Sequence, residues 1–268
     1  MTTNKDKPAL LEYQLDTAVQ AFSTMRHGGV STGNYASLNV NPFCGDNPSH
    51  VSRNRQMLAE TIGISEDRII LPHQTHSTNV LCIDDNLPSA QQLEDVDAVI
   101  TDQENLCIGV STADCIPILL YDPVTGTIAA IHAGWRGTAG HIVTRVAEVM
   151  KDNFAVDPAN LKAVIGPGIS LDAFEVGDEV YDAFAKANFN MDAIARRYLA
   201  GNGEKKWHIN LPLANYLLLT EAGLNEQNIL DVSICTYKAH EKFFSARRLG
   251  INSGRIYTAV MKRKSAMK

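Results

Sequence analysis

An α+β sandwich with helices on the outside is the fold class this chain predicts, and three observations predict it. Short apolar or β-branched runs recur along the sequence; they cluster, with only a few amphipathic helical segments between them; and the regular strand–helix alternation of a doubly wound sheet is missing. With 268 residues and 45% hydrophobic side chains, the chain can fill a large core. No internal repeat, low-complexity tract or Pro/Ser-rich linker marks a boundary, so residues 1–268 read as a single domain.

The strands follow in order as RIILP, NVLCI, DAVIT, LCIGVST, IPILLYD, TIAAIHA, LKAVIGP, ILDVSICT and IYTAVMK, many of them followed by Gly, Pro or Asp, as strand ends commonly are. The first helix, SHVSRNRQMLAETIG, has Ser49 placed to cap it and Gly63 to end it. The second, TAGHIVTRVAEVMKDNF, puts Ile142, Val146 and Val149 on one face. GDEVYDAFAKANF and NLPLANYLLLTEAG supply two more, the latter stopping at Gly223.

Charge narrows the function. A net charge of -6, from 24 basic and 30 acidic side chains spread along the chain, offers no field for a polyanion, so nucleic acid and anionic membrane are excluded as expected partners. The longest apolar runs fall well short of the ~20 residues of a membrane span. The N-terminal stretch MTTNKDKPALLEYQLD lacks the apolar core of a secretory signal, and a cytoplasmic protein is expected. Five cysteines, an odd number without a CxxC pair, do not form a disulfide framework.

Three side chains that can hold a metal sit at or beside the ends of apolar segments: His76 in HQTHSTNV, Cys115 in TADCIPILL and His132 in IHAGWRG. Imidazole nitrogen and thiolate are favoured zinc donors, and three protein ligands leave one tetrahedral position open for a reactive water. Satisfied core or loop residues are the alternative reading, because the spacing of compact zinc modules is absent. Around the three lie Asp114, Trp135 and Arg136, with Gly134 and Gly137 permitting close backbone approach. Arg136 can pair with an anionic ligand through a forked hydrogen bond or form a surface ion pair. His73 stands three residues from His76, but the segment opens on proline and reads as an extended turn, so only one of the two is expected to bind metal. STMRHGGVSTGNYASLNV, with Arg26 and Asn39, reads either as a flexible loop over a site or as a glycine-rich hairpin. Neither a dinucleotide-binding glycine fingerprint nor a P-loop is present.

Taken in order, TMRHGGVS, SLNV, GDNPSHVSRNR, HQTHS, DAVIT, TADCIPILLYD, AAIHAGWRG, IGPGIS, FEVG, CT and FFSARRLGINSGR resemble the motif ladder of the multicopper polyphenol oxidase, or laccase-like, family. That family includes bacterial purine nucleoside phosphorylases and the peptidoglycan editing factor. The resemblance runs from about Phe22 to about Arg255 and implies a four-layer α/β/β/α sandwich like that of cysteine hydrolases. It also implies one zinc ion on His76, Cys115 and His132, with Arg26, Asn39 and Arg136 near the substrate. One departure is Gly168, where the family often has cysteine. With eight histidines and no His-X-His pair, the chain lacks the donors of an ordinary multicopper site, which places copper behind zinc as the expected metal.

The function so implied is phosphorolysis of adenosine, inosine and methylthioadenosine, with hydrolytic deamination of adenosine as a second activity; the small-molecule partners are a purine nucleoside and phosphate. Arg26 and Arg136 are the cations available for phosphate, and Cys115 is either a ligand alone or a nucleophile with a histidine as base. The alternatives are hydrolysis of a misincorporated amino acid from a muramyl peptide precursor, polyphenol oxidation, and metal or nucleoside binding without turnover.

Overall fold

The computed structural model describes residues 7–199 and 203–264. One sheet has five strands in the spatial order β1 (Leu10–Tyr13), β2 (Val19–Thr24), β14 (Ile256–Lys262), β6 (Cys107–Thr112) and β3 (Ile69–Ile70). A second has six, in the order β13 (Ile229–Asp231), β9 (Lys162–Ile165), β7 (Ile116–Tyr121), β8 (Ile128–Ala133), β5 (Ala98–Thr101) and β4 (Val80–Cys82). A small third sheet joins β10 (Glu175–Val176), β12 (Lys205–Ile209) and β11 (Ala195–Leu199). The helices are α1 (Pro48–Ile62), α2 (Trp135–Ala139), α3 (Ile142–Phe154), α4 (Asp178–Lys186), α5 (Met191–Ile194), α6 (Leu211–Glu221) and α7 (Ala246–Leu249).

The two large sheets lie face to face, because their central strands are apolar on both faces. In β7, Leu119 and Tyr121 enter the core between the sheets, while Ile116, Ile118 and Leu120 point into a second core under helices. In β8, Ile128 and Ala130 turn inward and Ala129, Ile131 and Ala133 outward, as the period of two requires. The outer face of the six-stranded sheet is covered by α3, α4 and α6 through residues such as Val146, Phe184 and Leu218. The outer face of the five-stranded sheet is covered by α1 through Leu58 and Ile62 against Phe22 and Tyr257. Helix, sheet, sheet, helix is thus the order of layers, as expected.

Local details depart from expectation in instructive ways. Asn47, not Ser49, caps α1: its side chain accepts from the Ser49 amide, and Pro48 occupies the first helical turn, where a missing N–H costs nothing. Gly63 ends the helix with φ of 77°, as read from the sequence. The expected second helix is two, α2 and α3, separated by Gly140 and by His141 at φ of 57°. The glycine-rich segment after Thr24 is a loop, not a hairpin, since β2 pairs with β1 and β14 on its two sides and no strand returns from it. Among the described residues, no helix is long and apolar enough to cross a membrane.

Candidate metal centre

The sheet register brings the three candidate ligands together. β6 belongs to one sheet and β7 to the other, and Cys115 sits on the turn that crosses between them. Antiparallel pairing sets Ile116 against Ala133 and Pro117 against His132, so the end of β8 lies beside the start of β7. His76 comes from the turn between β3 and β4. The donor atoms of His76, Cys115 and His132 all lie within 4.8 Å of one another, with Cys115 Sγ 3.8 Å from His76 Nε2. Tetrahedral zinc with ordinary bond lengths holds a nitrogen and a sulfur about 3.6 Å apart, so the constellation fits one ion with little movement.

Both ligand-bearing turns are held in left-handed backbone. His76 has φ of 65° and Asp114, before Cys115, φ of 90°. For non-glycine residues this conformation is costly and persists only where neighbours enforce it. Asp97 enforces the first. Its carboxylate is fully buried and accepts from the amides of Thr75, His76 and Ser77 at 3.2, 3.1 and 2.8 Å and from Ser77 Oγ at 2.7 Å. Asp114 enforces the second by tying its turn to distant chain: Thr236 Oγ1 and the Arg247 amide each donate to it at 2.6 Å. Both lone carboxylates are thereby occupied.

Asp97 also faces His132, whose Nδ1 lies 2.6 Å from Oδ1. A proton held there leaves Nε2 as the lone-pair nitrogen toward Cys115 and His76. Burial pushes the Asp97 carboxyl up, but hydrogen bonds from His132 and Ser77 outweigh it and hold the group below its ordinary value. Burial likewise pushes the Cys115 thiol up, yet the charges and hydrogen bonds of His132 and His76 bring it down to about 6. For His132, burial acts downward and is overcome by Cys115 and Asp97, which raise it to about 9. A thiolate is therefore ready at neutral pH. Gly134 completes the centre: a Cβ there would lie 2.8 Å from His76 Cδ2 and 3.0 Å from Cys115 Sγ, so the backbone itself forms one wall.

The three donors open into a cavity of about 300 Å³ whose walls include Phe43, Cys44, His73, Gln74, Ser111 and Arg255. Gln74 grips Ser111 from both sides, accepting from its amide at 2.7 Å and donating to its carbonyl at 2.8 Å. The remaining residues singled out from the sequence sit differently. Asn39 is buried behind the cavity, donating to the Asn41 carbonyl and to Asp46 while accepting from the Arg255 amide at 3.1 Å. Arg26 donates to the carbonyls of Ala36 and His240 and lies 5.0 Å from the Phe244 ring centre, fastening the glycine-rich loop to the C-terminal segment. Arg136 is exposed on α2 with its guanidinium over Trp135. Neither arginine lines the cavity; the cation that does is Arg255.

Gly168 lies across the Cys115 turn, in a separate cavity of about 420 Å³ with Ser170, Asn210 and Cys235. A side chain there would meet Ile116 Cδ1 at 2.3 Å, so glycine suits this packing. Sequence reasoning missed Asp97, Arg255 and Phe43. Asp97 offered one faint signal, an acidic residue directly before a wholly apolar strand.

Residues 20–263 match the family described as multi-copper polyphenol oxidoreductase laccase. A protein of Bacteroides thetaiotaomicron named purine nucleoside phosphorylase is 44% identical over 250 residues, covering 91% of each chain. Adenosine deaminase RL5, from an unknown prokaryote, is 42% identical over 252 residues, covering 91% of this chain and 94% of its own. Among solved structures, the hypothetical protein YfiH of Bacillus licheniformis superimposes with a TM-score of 0.89 at 28% identity, covering 96% of this chain and 98% of that one. With a matched region that covers most of the chain and holds all three donor residues, the chain belongs to the multi-copper polyphenol oxidoreductase laccase family.

Proposed function

We propose that this protein is a zinc-dependent purine nucleoside phosphorylase acting on adenosine, inosine and methylthioadenosine, with adenosine deamination as a second activity. The observation that carries the reading is the His76, Cys115 and His132 group at the floor of a cavity with an exposed aromatic ring, Phe43, and a cation, Arg255, in its walls. The relatives named for these two activities support it. Mixed imidazole and thiolate donors suit zinc, with copper the second choice. Bound there, the metal supplies a Lewis acid and lowers the pKa of water.

The chain's own residues do the rest. The face of Phe43 that His73 leaves uncovered offers a purine a stacking surface at the cavity mouth. Arg255 contributes positive charge for phosphate, and Asn39 fixes its backbone. Arg136 makes no ion pair among the described residues and stands two residues from Gly134, free to reach an anion at the rim. Arg26 sets the loop that carries Asn39. Cys115 acts as a ligand; its thiolate is shared between two imidazoles, which weakens it as a nucleophile.

Elemental analysis and chromatography of reaction mixtures test the proposal. The wild type should hold one zinc per chain and give adenine from adenosine with phosphate and inosine without it; Cys115→Ala should lose both metal and turnover. Full zinc retention in Cys115→Ala would remove the ligand assignment. Release of an amino acid from a muramyl peptide, with no purine product, would replace the nucleoside reading.

A further inference from the structure

We propose that His73, oriented by Glu94, is the general acid that protonates the departing purine; the inference rests on the nucleoside reading above. His73 lines the same cavity as the metal ligands without belonging to them. Its Nδ1 lies 2.7 Å from Glu94 Oε2, and its main chain is locked on both sides, the amide donating to the Leu93 carbonyl at 2.9 Å and the carbonyl accepting from the Val96 amide at 3.3 Å. Phe43 stacks on the ring, with centroids 4.4 Å apart and planes 25° from parallel. Carboxylate and aromatic ring together fix the imidazole plane and the Nδ1 proton. Nε2 is left without a partner among the described residues, and the side chain is 40% exposed, within reach of a ligand.

Elimination points the same way. Asp97 and Asp114 spend their carboxylates on the turns they hold. His76, Cys115 and His132 are committed to the metal group. Cys44 faces the cavity, but burial pushes its thiol up and Asn39 and Asn41 engage it. The charged and titratable groups that share the cavity with His73 are Cys44, Arg255 and the three donors, with Glu94 against its Nδ1. Of these, His73 alone offers an imidazole nitrogen that neither the metal group nor another described side chain engages.

The step balances as follows. A phosphate oxygen bonds to C1′ of the ribose as the C1′–N9 bond breaks. The released electron pair passes into the purine ring, whose N7 takes the proton from His73 Nε2. The neutral imidazole recovers a proton from solvent, which receives the one that phosphate gives up. Glu94 touches no substrate and acts by holding the ring.

The experiment compares wild type, His73→Gln and Glu94→Ala with two substrates, inosine and N7-methylinosine, each with phosphate. Zinc content is measured alongside. His73→Gln should keep its zinc and its KM for inosine while kcat falls about 10²–10⁴-fold, the usual contribution of a general acid. N7-methylinosine carries its positive charge already and needs no proton, so the same variant should lose little on it. In Glu94→Ala, where the ring loses its anchor, kcat on inosine should fall with KM unchanged, while N7-methylinosine is turned over nearly as by the wild type. Wild-type kcat in His73→Gln, or an equal loss on both substrates, would overturn the inference while leaving the nucleoside reading in place. A zinc-loaded wild type inactive on both substrates overturns the nucleoside reading and this inference with it.

Discussion

Asp97 stands 2.6 Å from His132 Nδ1 while the same carboxylate gathers three backbone amides of the turn bearing His76. One buried side chain therefore positions two of the three candidate ligands. Replacement by alanine should lower zinc affinity about 10–100-fold, the ordinary effect of removing a group that orients a ligand. Competition against a chromophoric chelator measures it, and unchanged affinity would show that the ligands hold their places without Asp97.

Gly134 tests the tightness of the centre. In Gly134→Ala the new methyl would sit 2.8 Å from His76 Cδ2 and 3.0 Å from Cys115 Sγ, and His76, the exposed ligand, must give way. Since the backbone at Gly134, with φ of -70°, is open to any residue, the fold should survive while zinc affinity falls. Circular dichroism and metal titration separate the two effects. Full affinity in this variant would mean that the turn carrying His76 yields freely.

The cations divide by position. Arg255→Lys should raise the KM for phosphate, because a fork-shaped donor in the cavity wall becomes a point charge. Arg136→Lys should give a smaller rise, as expected of an exposed group reaching in from α2. Steady-state kinetics with phosphate varied distinguishes them, and an unchanged phosphate KM in both variants would move the anion site elsewhere.

Proton release on zinc binding follows from the Cys115–His132 pair. Cys115 is brought down to about 6 and His132 raised to about 9 by each other's charge, so between these values the metal-stripped pair holds one proton more than the thiolate and neutral imidazole that bind metal. Zinc must displace that proton there, and two below about pH 6. Affinity should therefore fall as pH drops and fall more steeply below about 6. Calorimetry in buffers of different ionisation enthalpy counts the protons released; release independent of pH across this window would refute the coupling. Cys107, pushed up to about 12 by burial, should stay unreactive to alkylation throughout.

The sequence by itself determined where the strands through the centre of the molecule lie, where α1 and α6 stop, and which three donors stand at strand ends. These follow from local chemistry: β-branched runs, glycine at left-handed positions such as Gly63 and Gly223, and residue types that bind metal. The resemblance added the ligand set and the order of layers. Only the tertiary structure decided the rest. β6, β7 and β8 are apolar at consecutive positions, so their pattern cannot say which residues face which core; stacking one sheet on another divides odd from even. β2 joins its sheet by pairing with β14 from the other end of the chain, and β1 follows by pairing with β2. The same holds at the site. Asp97, Arg255 and the His73–Glu94 pair owe their roles to neighbours distant in sequence, because a carboxylate's or imidazole's chemistry is set by what lies within hydrogen-bond reach, and that reach is fixed by sheet register rather than by local composition.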